Sequence, residues 1–233
     1  HIQLCIICVA MNAREVLLIY SDASSDAYGG YTLSADSTEF ALFYQASSSM
    51  AIDSDSNARK LLAILYGLKS FKSRISGKTV KIFTDNRNAS IIIARGSNSL
   101  RLHLLALKVF KFCSLHNISL EIEWIHRSLN EYAGSVSRIV DYDNWALCST
   151  FFLHISPLFG PFHVDRFASK LWNPGCEGVD GFSVSWGGLN NLLVPPKNLV
   201  AHVPLVMWTH GDFWLFPSGN QHAIGLFFSI WCS

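Results

Sequence analysis

The sequence predicts an α/β fold, a mixed five-stranded sheet flanked by helices, with an irregular C-terminal extension. Three observations predict it. Val16 to Ser24, VLLIYSDAS, is a continuous apolar run ending in a Ser-Asp pair, as a strand buried on both faces requires. Thr79 to Arg87, TVKIFTDNR, repeats the design and ends in Thr84-Asp85. Around these two runs, shorter β-rich segments and amphipathic helical segments follow one another at the spacing of a layered domain. Two core strands that each present an aspartate at the carboxyl end form the skeleton of a two-carboxylate site.

A chain of 233 residues allows one large domain, or one domain and a substantial extension. Hydrophobic residues make up 50% and mean hydropathy is +0.26, enough for a real core. The net charge of +1 is uninformative, but its distribution is not. Between Arg59 and Lys111 stand twelve Lys or Arg against one acid, Asp85. That local excess is the electrostatic footprint of a polyanion partner, although a merely solvated basic face has the same pattern. The six cysteines include one isolated CxxC, Cys5 and Cys8, inside an apolar run. They read as core thiols of a reduced, intracellular chain, in cytoplasm or nucleus. Starting at His1, the chain reads as a fragment of something longer. Ile2 to Met11 has no basic leader and is no signal peptide. Ala223 to Cys232 is too short to span a bilayer, so no membrane partner is expected.

Each element follows in order. Asp26-Ala27-Tyr28-Gly29-Gly30 reads as a turn into a second strand around Tyr31 to Leu33, and Glu39 to Gln45 as a third, making an antiparallel meander. Ser47 to Asn57 is a polar loop whose Asp53 and Asp55 suit a helix cap. The helix from about Asn57 to Phe71 places Leu61, Ile64, Leu65, Leu68 and Phe71 on one face. Lys60 lies on that apolar stripe near the helix start. Either it snorkels past the helix end, or it faces the two aspartates. After the strand ending at Asp85 come a short helix near Ala89 to Ala94, a helix from Leu100 to His116, a fifth strand, Ile118 to Trp124, and a helix from Leu129 to Val140. A meander followed by βαβ units with carboxylates at strand ends is the plan of a ribonuclease H-like fold.

The segments YSDASSDAYGGY, ARKLLAILYGLKSF, GKTVKIFTDNRNA, HNISLEIEWIHRSLNEYAGSVSR and DYDNW resemble the ribonuclease H domain of retroelement polyproteins. The likeness is greatest to the DIRS-like, tyrosine-recombinase retrotransposons. HVDRFASK, WNPGCEGVDGFSVSW and Pro195-Pro196 resemble the segment that follows that domain. The resemblance spans roughly residues 15 to 200 and divides the chain into an N-terminal strand or linker fragment (1–14), a ribonuclease H-like domain (15–145) and a Trp- and Pro-rich extension (146–233). It implies cleavage of the RNA strand of an RNA–DNA hybrid by two Mg²⁺ (or Mn²⁺) ions held by four carboxylates. It also implies an upstream polymerase and a downstream recombinase as polyprotein partners. Hard divalent ions take oxygen ligands, and two of them activate water and stabilise the leaving oxygen of an in-line displacement.

Carried onto this chain, the first and third carboxylates are Asp22 and Asp85. The second falls in Arg59-Lys60-Leu61, where Lys60 replaces the family's Glu. The fourth falls in NEYAGSVSR, where Gly134 replaces the family's Asp. Ser24, Asn86, Arg87, Asn130 and Arg138 are the substrate-binding positions that the resemblance implies. With two ligands gone and one reversed in sign, metal binding is expected to be weak or absent. An ammonium about 4 Å from a carboxylate, at an effective dielectric near 20, is worth roughly 4 kcal/mol before desolvation, so Lys60 is expected to pair with one or both aspartates where metal would sit. Asp53, Asp55, Asp141, Asp143 and His126 are poorly placed to rescue the site, because ligand geometry is exacting. Both replacements are single-base changes, which fits a decaying element copy.

From residue 151 onward the chain has only seven charged residues but five of its seven tryptophans and all seven prolines. These aromatics could stack on single strands, and core packing explains them as well. The expectation is a ribonuclease H-like domain that has lost cleavage. The alternatives are an active or residual hybrid nuclease, and a non-catalytic nucleic-acid-binding or polyprotein interaction module.

Overall fold

The computed structural model describes residues 15–34, 40–47, 55–139, 149–167, 169–176, 178–186, 188–195, 199 and 202–203. Cys5, Cys8, Asp53, Asp141, Asp143, Trp145, Trp208, Trp214 and Trp231 lie outside them. The chain divides into two compact units, His1–Ile139 with Leu171–Cys176, and Val140–Lys170 with Glu177–Ser233.

The first unit holds the predicted mixed five-stranded sheet flanked by helices. Strands β1 (Val16–Ala23), β2 (Ala27–Ser34) and β3 (Phe40–Ala46) form the antiparallel meander. Helix α1 (Ser56–Ser70), a four-residue helix α2 (Lys72–Ile75) and strand β4 (Thr79–Thr84) follow. Helices α3 (Arg87–Arg95) and α4 (Leu100–Leu115) then lead to β5 (Ser119–Trp124), and a short 3₁₀ turn, Arg127–Leu129, to helix α5 (Glu131–Val136). The sheet order is β3-β2-β1-β4-β5, with β4 parallel to both β1 and β5. This is the ribonuclease H-like arrangement.

Alternation decides which face of the sheet is core. Leu17, Ile19, Val80 and Ile82 are buried on one face, where α1 lays its apolar stripe. Leu61, Ile64, Leu65, Leu68 and Phe71 are all buried there. Burying each contributes about 1.5–3 kcal/mol, so α1 is anchored by its whole length. Asp55 starts it, its side chain accepting from the Asn57 amide at 2.9 Å, as an N-cap aspartate does.

Two expectations are corrected. Ala27 to Gly30 is not a turn but the start of β2; the turn is the tighter Ser24–Asp26, closed by the Ser24 amide on the Ala27 carbonyl at 2.9 Å. Gly29 and Gly30 mark close backbone approaches inside a strand. A Cβ on Gly29 would lie 2.5 Å from the Ser137 nitrogen, and one on Gly30 would lie 2.6 Å from the Phe43 ring. The last helix is also shorter than its pattern. The chain enters through the 3₁₀ turn, and α5 stops at Val136, where the Ser137 hydroxyl donates to the Gly134 carbonyl at 2.9 Å.

Leu171–Cys176 returns to the first unit along the outer edge of β3. The Tyr44 amide donates to the Trp172 carbonyl and the Trp172 amide to the Leu42 carbonyl, both at 2.9 Å. The Trp172 ring packs on Phe71, 5.9 Å between centroids, with the Arg74 guanidinium 5.7 Å from it. An edge strand thereby loses part of its open ladder.

The second unit contains helix α6 (Ser149–Phe159) and a short parallel pair, β6 (Val164–Asp165) with β7 (Asn191–Leu192). Trp186 packs among Phe167, Phe182 and Leu193, so it serves as local core. Among the described residues no helix is long and apolar enough to cross a membrane.

Candidate active-site cleft

The parallel register of β1 and β4 builds the first half of the site. Tyr20 pairs with Phe83, so Asp22 and Asp85, each two residues further on, leave the sheet side by side at the carboxyl end. Asp22 is buried, and its Oδ1 accepts from the Ala23 amide at 2.7 Å. Asp85 is held from behind, its carbonyl accepting from the Trp124 indole at 3.1 Å.

Lys60 enters from α1, one turn before the buried Ile64. Of its two sequence readings, the one facing the aspartates holds. Its Nζ donates to Asp22 Oδ1 and, at 2.8 Å, to Asp85 Oδ1, and its side chain is only 12% exposed. Burial pulls its ammonium below the usual lysine value; the hydrogen bond to Asp85 and that residue's charge oppose this, while Arg127 and Arg138 add to it. The lysine stays because the stripe around it is core, and two hydrogen-bond acceptors meet it there.

Gly134 completes the floor from α5. A Cβ built there would lie 2.8 Å from Asp22 Oδ2 and 3.2 Å from Arg138 Nη2, so a side chain at this position would stand beside that aspartate. Three contacts fasten α5 to the sheet. Asn130 Nδ2 donates to the Ser21 carbonyl at 3.1 Å, and Ser24 Oγ to the Ser137 carbonyl at 2.8 Å. The Tyr132 ring meets Tyr31 edge-on at 5.2 Å.

The remaining positions separate. Asn86 caps α3, accepting from the Ala89 amide at 2.8 Å, and ties it to α1 through Asn57 Oδ1 at 3.1 Å. Asn130 and Ser24 are likewise committed to holding the scaffold. Arg87 is exposed at the start of α3 and does not line the cleft. Arg138 does line it. Arg127 and Glu131 also face the cleft, and sequence reasoning missed both, since neither stands out from ordinary surface charge. His126 is exposed and turned to its own loop, bonded to Ser128.

Two divalent ions do not fit this donor set. Both aspartates are engaged by an ammonium, position 134 supplies no oxygen ligand, and a guanidinium lies over it. Among the described residues no three His, Cys, Asp or Glu side chains gather as a metal site.

Residues 12–112 match the family profile described as an RNase H-like domain found in reverse transcriptase. The match takes in Asp22, Lys60 and Asp85 and stops before Gly134. No curated protein matches the chain. Among solved structures it is similar to the N-terminal RNase H domain of a Mycobacterium tuberculosis protein, solved as a fusion with maltose-binding protein. The identity is 17% and the TM-score 0.44, over 53% of this chain and 91% of that one. A ribonuclease H1 solved in complex with an RNA/DNA hybrid gives 13% and 0.42, over 52% and 92%. The protease–reverse transcriptase of prototype foamy virus gives 11% and 0.32, over 56% of this chain and 21% of that one. Residues 12–112 are thus similar to the RNase H-like domains found in reverse transcriptase.

Proposed function

We propose that this chain is the ribonuclease H-like part of a retroelement reverse-transcriptase polyprotein, of the DIRS-like group. In this reading it has lost metal-dependent cleavage and retains contact with nucleic acid. One observation carries it: the Lys60 ammonium bridges Asp22 and Asp85. A two-metal hydrolase needs those carboxylates free to bind cations. An ammonium held between them competes for the same charge, and no carboxylate stands at 134 to offset it. Asp22 and Asp85 are then surviving ligand positions in a site where Mg²⁺ or Mn²⁺ binds weakly or not at all. The polymerase upstream and the recombinase downstream would be its polyprotein partners.

The test is cleavage of an RNA–DNA hybrid in Mg²⁺ and in Mn²⁺ by the wild-type chain and by Lys60→Glu with Gly134→Asp. The two changes are combined because a two-metal site needs both missing carboxylates as well as free aspartates. No cleavage by wild type and metal-dependent cleavage by the double variant is the expected result. Cleavage by the wild type at a comparable rate sinks the proposal.

A further inference from the structure

We propose that Arg127 and Arg138 make this cleft a phosphodiester-binding subsite that takes nucleic acid without any divalent metal. This rests on the loss of metal proposed above and deepens it, by naming what the altered site binds. The cleft has a volume of about 660 Å³ and includes Asp22, Asp85, Arg127, Gly134 and Arg138 in its lining.

Charge decides what it can admit. With Glu at 60 and Asp at 134, the carboxylates lining this cleft would outnumber its two arginines by three charges. A phosphate would then enter only behind bound cations. Here Asp22, Asp85 and Glu131 are matched in formal charge by Lys60, Arg127 and Arg138. The neutralising cation is part of the protein, inserted from the core side, where it occupies the two aspartates and leaves the arginines to the solvent side.

Those arginines are available. Both are exposed, and among the described residues neither is in an ion pair. The Arg138 guanidinium lies over Gly134, with Nη2 and Nη1 at 3.2 and 3.7 Å from where a Cβ would stand. It therefore fills part of the space a fourth carboxylate would use. A guanidinium presents a planar fork that matches two phosphate oxygens. In an unaltered site a carboxylate at 134 would pair with that fork. The glycine leaves it unpaired, so one replacement removes a metal ligand and releases a phosphate ligand.

The experiment is fluorescence anisotropy of a short labelled RNA–DNA hybrid with the whole chain, in EDTA and in Mg²⁺. The Kd is expected to agree within about twofold between the two buffers and to weaken steeply with salt. Arg127→Gln with Arg138→Gln should weaken binding by about tenfold or more and reduce the salt slope by about two. The paired Arg→Lys variant, which keeps the charge, should keep most of the binding. Binding that disappears in EDTA, no binding in either buffer, or a Gln variant that binds like wild type each overturns the proposal. The two proposals fail separately. Hybrid cleavage by the wild-type chain would end the claim of lost activity and leave arginine-dependent binding in EDTA standing. Binding that needs Mg²⁺, without cleavage, would do the reverse.

Discussion

The cleft has a strand side and a helix side, and they carry different chemistry. On the strand side Asp22 and Asp85 present two carboxylates side by side at the ends of β1 and β4. On the helix side, positions 60 and 134 face them with an ammonium and with no side chain at all. The backbone is equally well built on both sides: α1 is fixed by its buried stripe, and α5 by Asn130, Ser24 and the close approach at Gly29. Packing holds the frame on both sides while the polar groups at its rim differ, and a fold does not by itself fix the chemistry of its site. The two sides differ in charge and not in how firmly they are packed.

The largest effect is expected where the frame itself carries the helix side. Gly29→Ala would put a methyl 2.5 Å from the Ser137 nitrogen and 2.6 Å from its Cα. These are backbone atoms, so α5 must move, at a cost of about 3 kcal/mol, the upper end for overpacking. Arg138 adjoins Ser137, so hybrid binding should fall with stability although no charge is altered. Urea unfolding and anisotropy on the same variant check both. A stable Gly29→Ala variant with normal binding would mean that α5 is not seated as described.

Lys60→Met tests the other helix-borne position. Met supplies neither a donor nor a charge, so two charge-assisted hydrogen bonds are lost at about 1.5 kcal/mol each, the lower end for charged groups. Burial already works against the ammonium, which keeps the cost near that figure. Asp22 and Asp85 would then face each other with no cation, and a divalent ion that binds only the folded state would stabilise it. Thermal unfolding should rise with Mn²⁺ in Lys60→Met and stay flat in the wild type. A wild-type shift as large as the variant's would erase the contrast between the two sides.

How much of this was legible follows from the range of each signal. The sheet, α1 and the pairing of two aspartates could be read from local periodicity. So could the presence of Lys60 on an apolar stripe, but periodicity left its direction open, since snorkelling and facing inward share one helical position. Gly29 and Gly30 read as a turn because their reason is tertiary. They make room for α5 and for Phe43, more than a hundred and about a dozen residues away in sequence. Trp172 read as part of an extension because its pairing with β3 spans a stretch of sequence that includes part of the second unit. Arg127 gave no signal at all; only the 3₁₀ turn before Asn130 brings it to the cleft.

The smallest effect concerns Tyr31, which supports α5 from the sheet face. It stacks on Tyr20 at 4.6 Å and meets Tyr132 of α5 at 5.2 Å. Burial, followed by the neighbouring Tyr20 and Tyr132, pushes its hydroxyl up from 10.0 to about 12. The folded state therefore holds this proton after the unfolded chain has released it. Between 10.0 and about 12 the unfolded state binds fewer protons, so stability falls as pH rises through that window. Tyr31→Phe keeps the ring contacts and removes the titration. The variant should match the wild type at neutral pH and overtake it above about pH 10, the ordinary tyrosine value, as measured by urea midpoints across the range. The buried Cys113 thiol, pushed up to about 11, adds a fall of the same sign beginning near the ordinary thiol value. Because that contribution is common to both proteins, the difference between them isolates Tyr31. An unchanged difference from neutral pH to about pH 11, well inside the window that linkage assigns to this group, would show that Tyr31 is more open to water than its place beneath α5 implies.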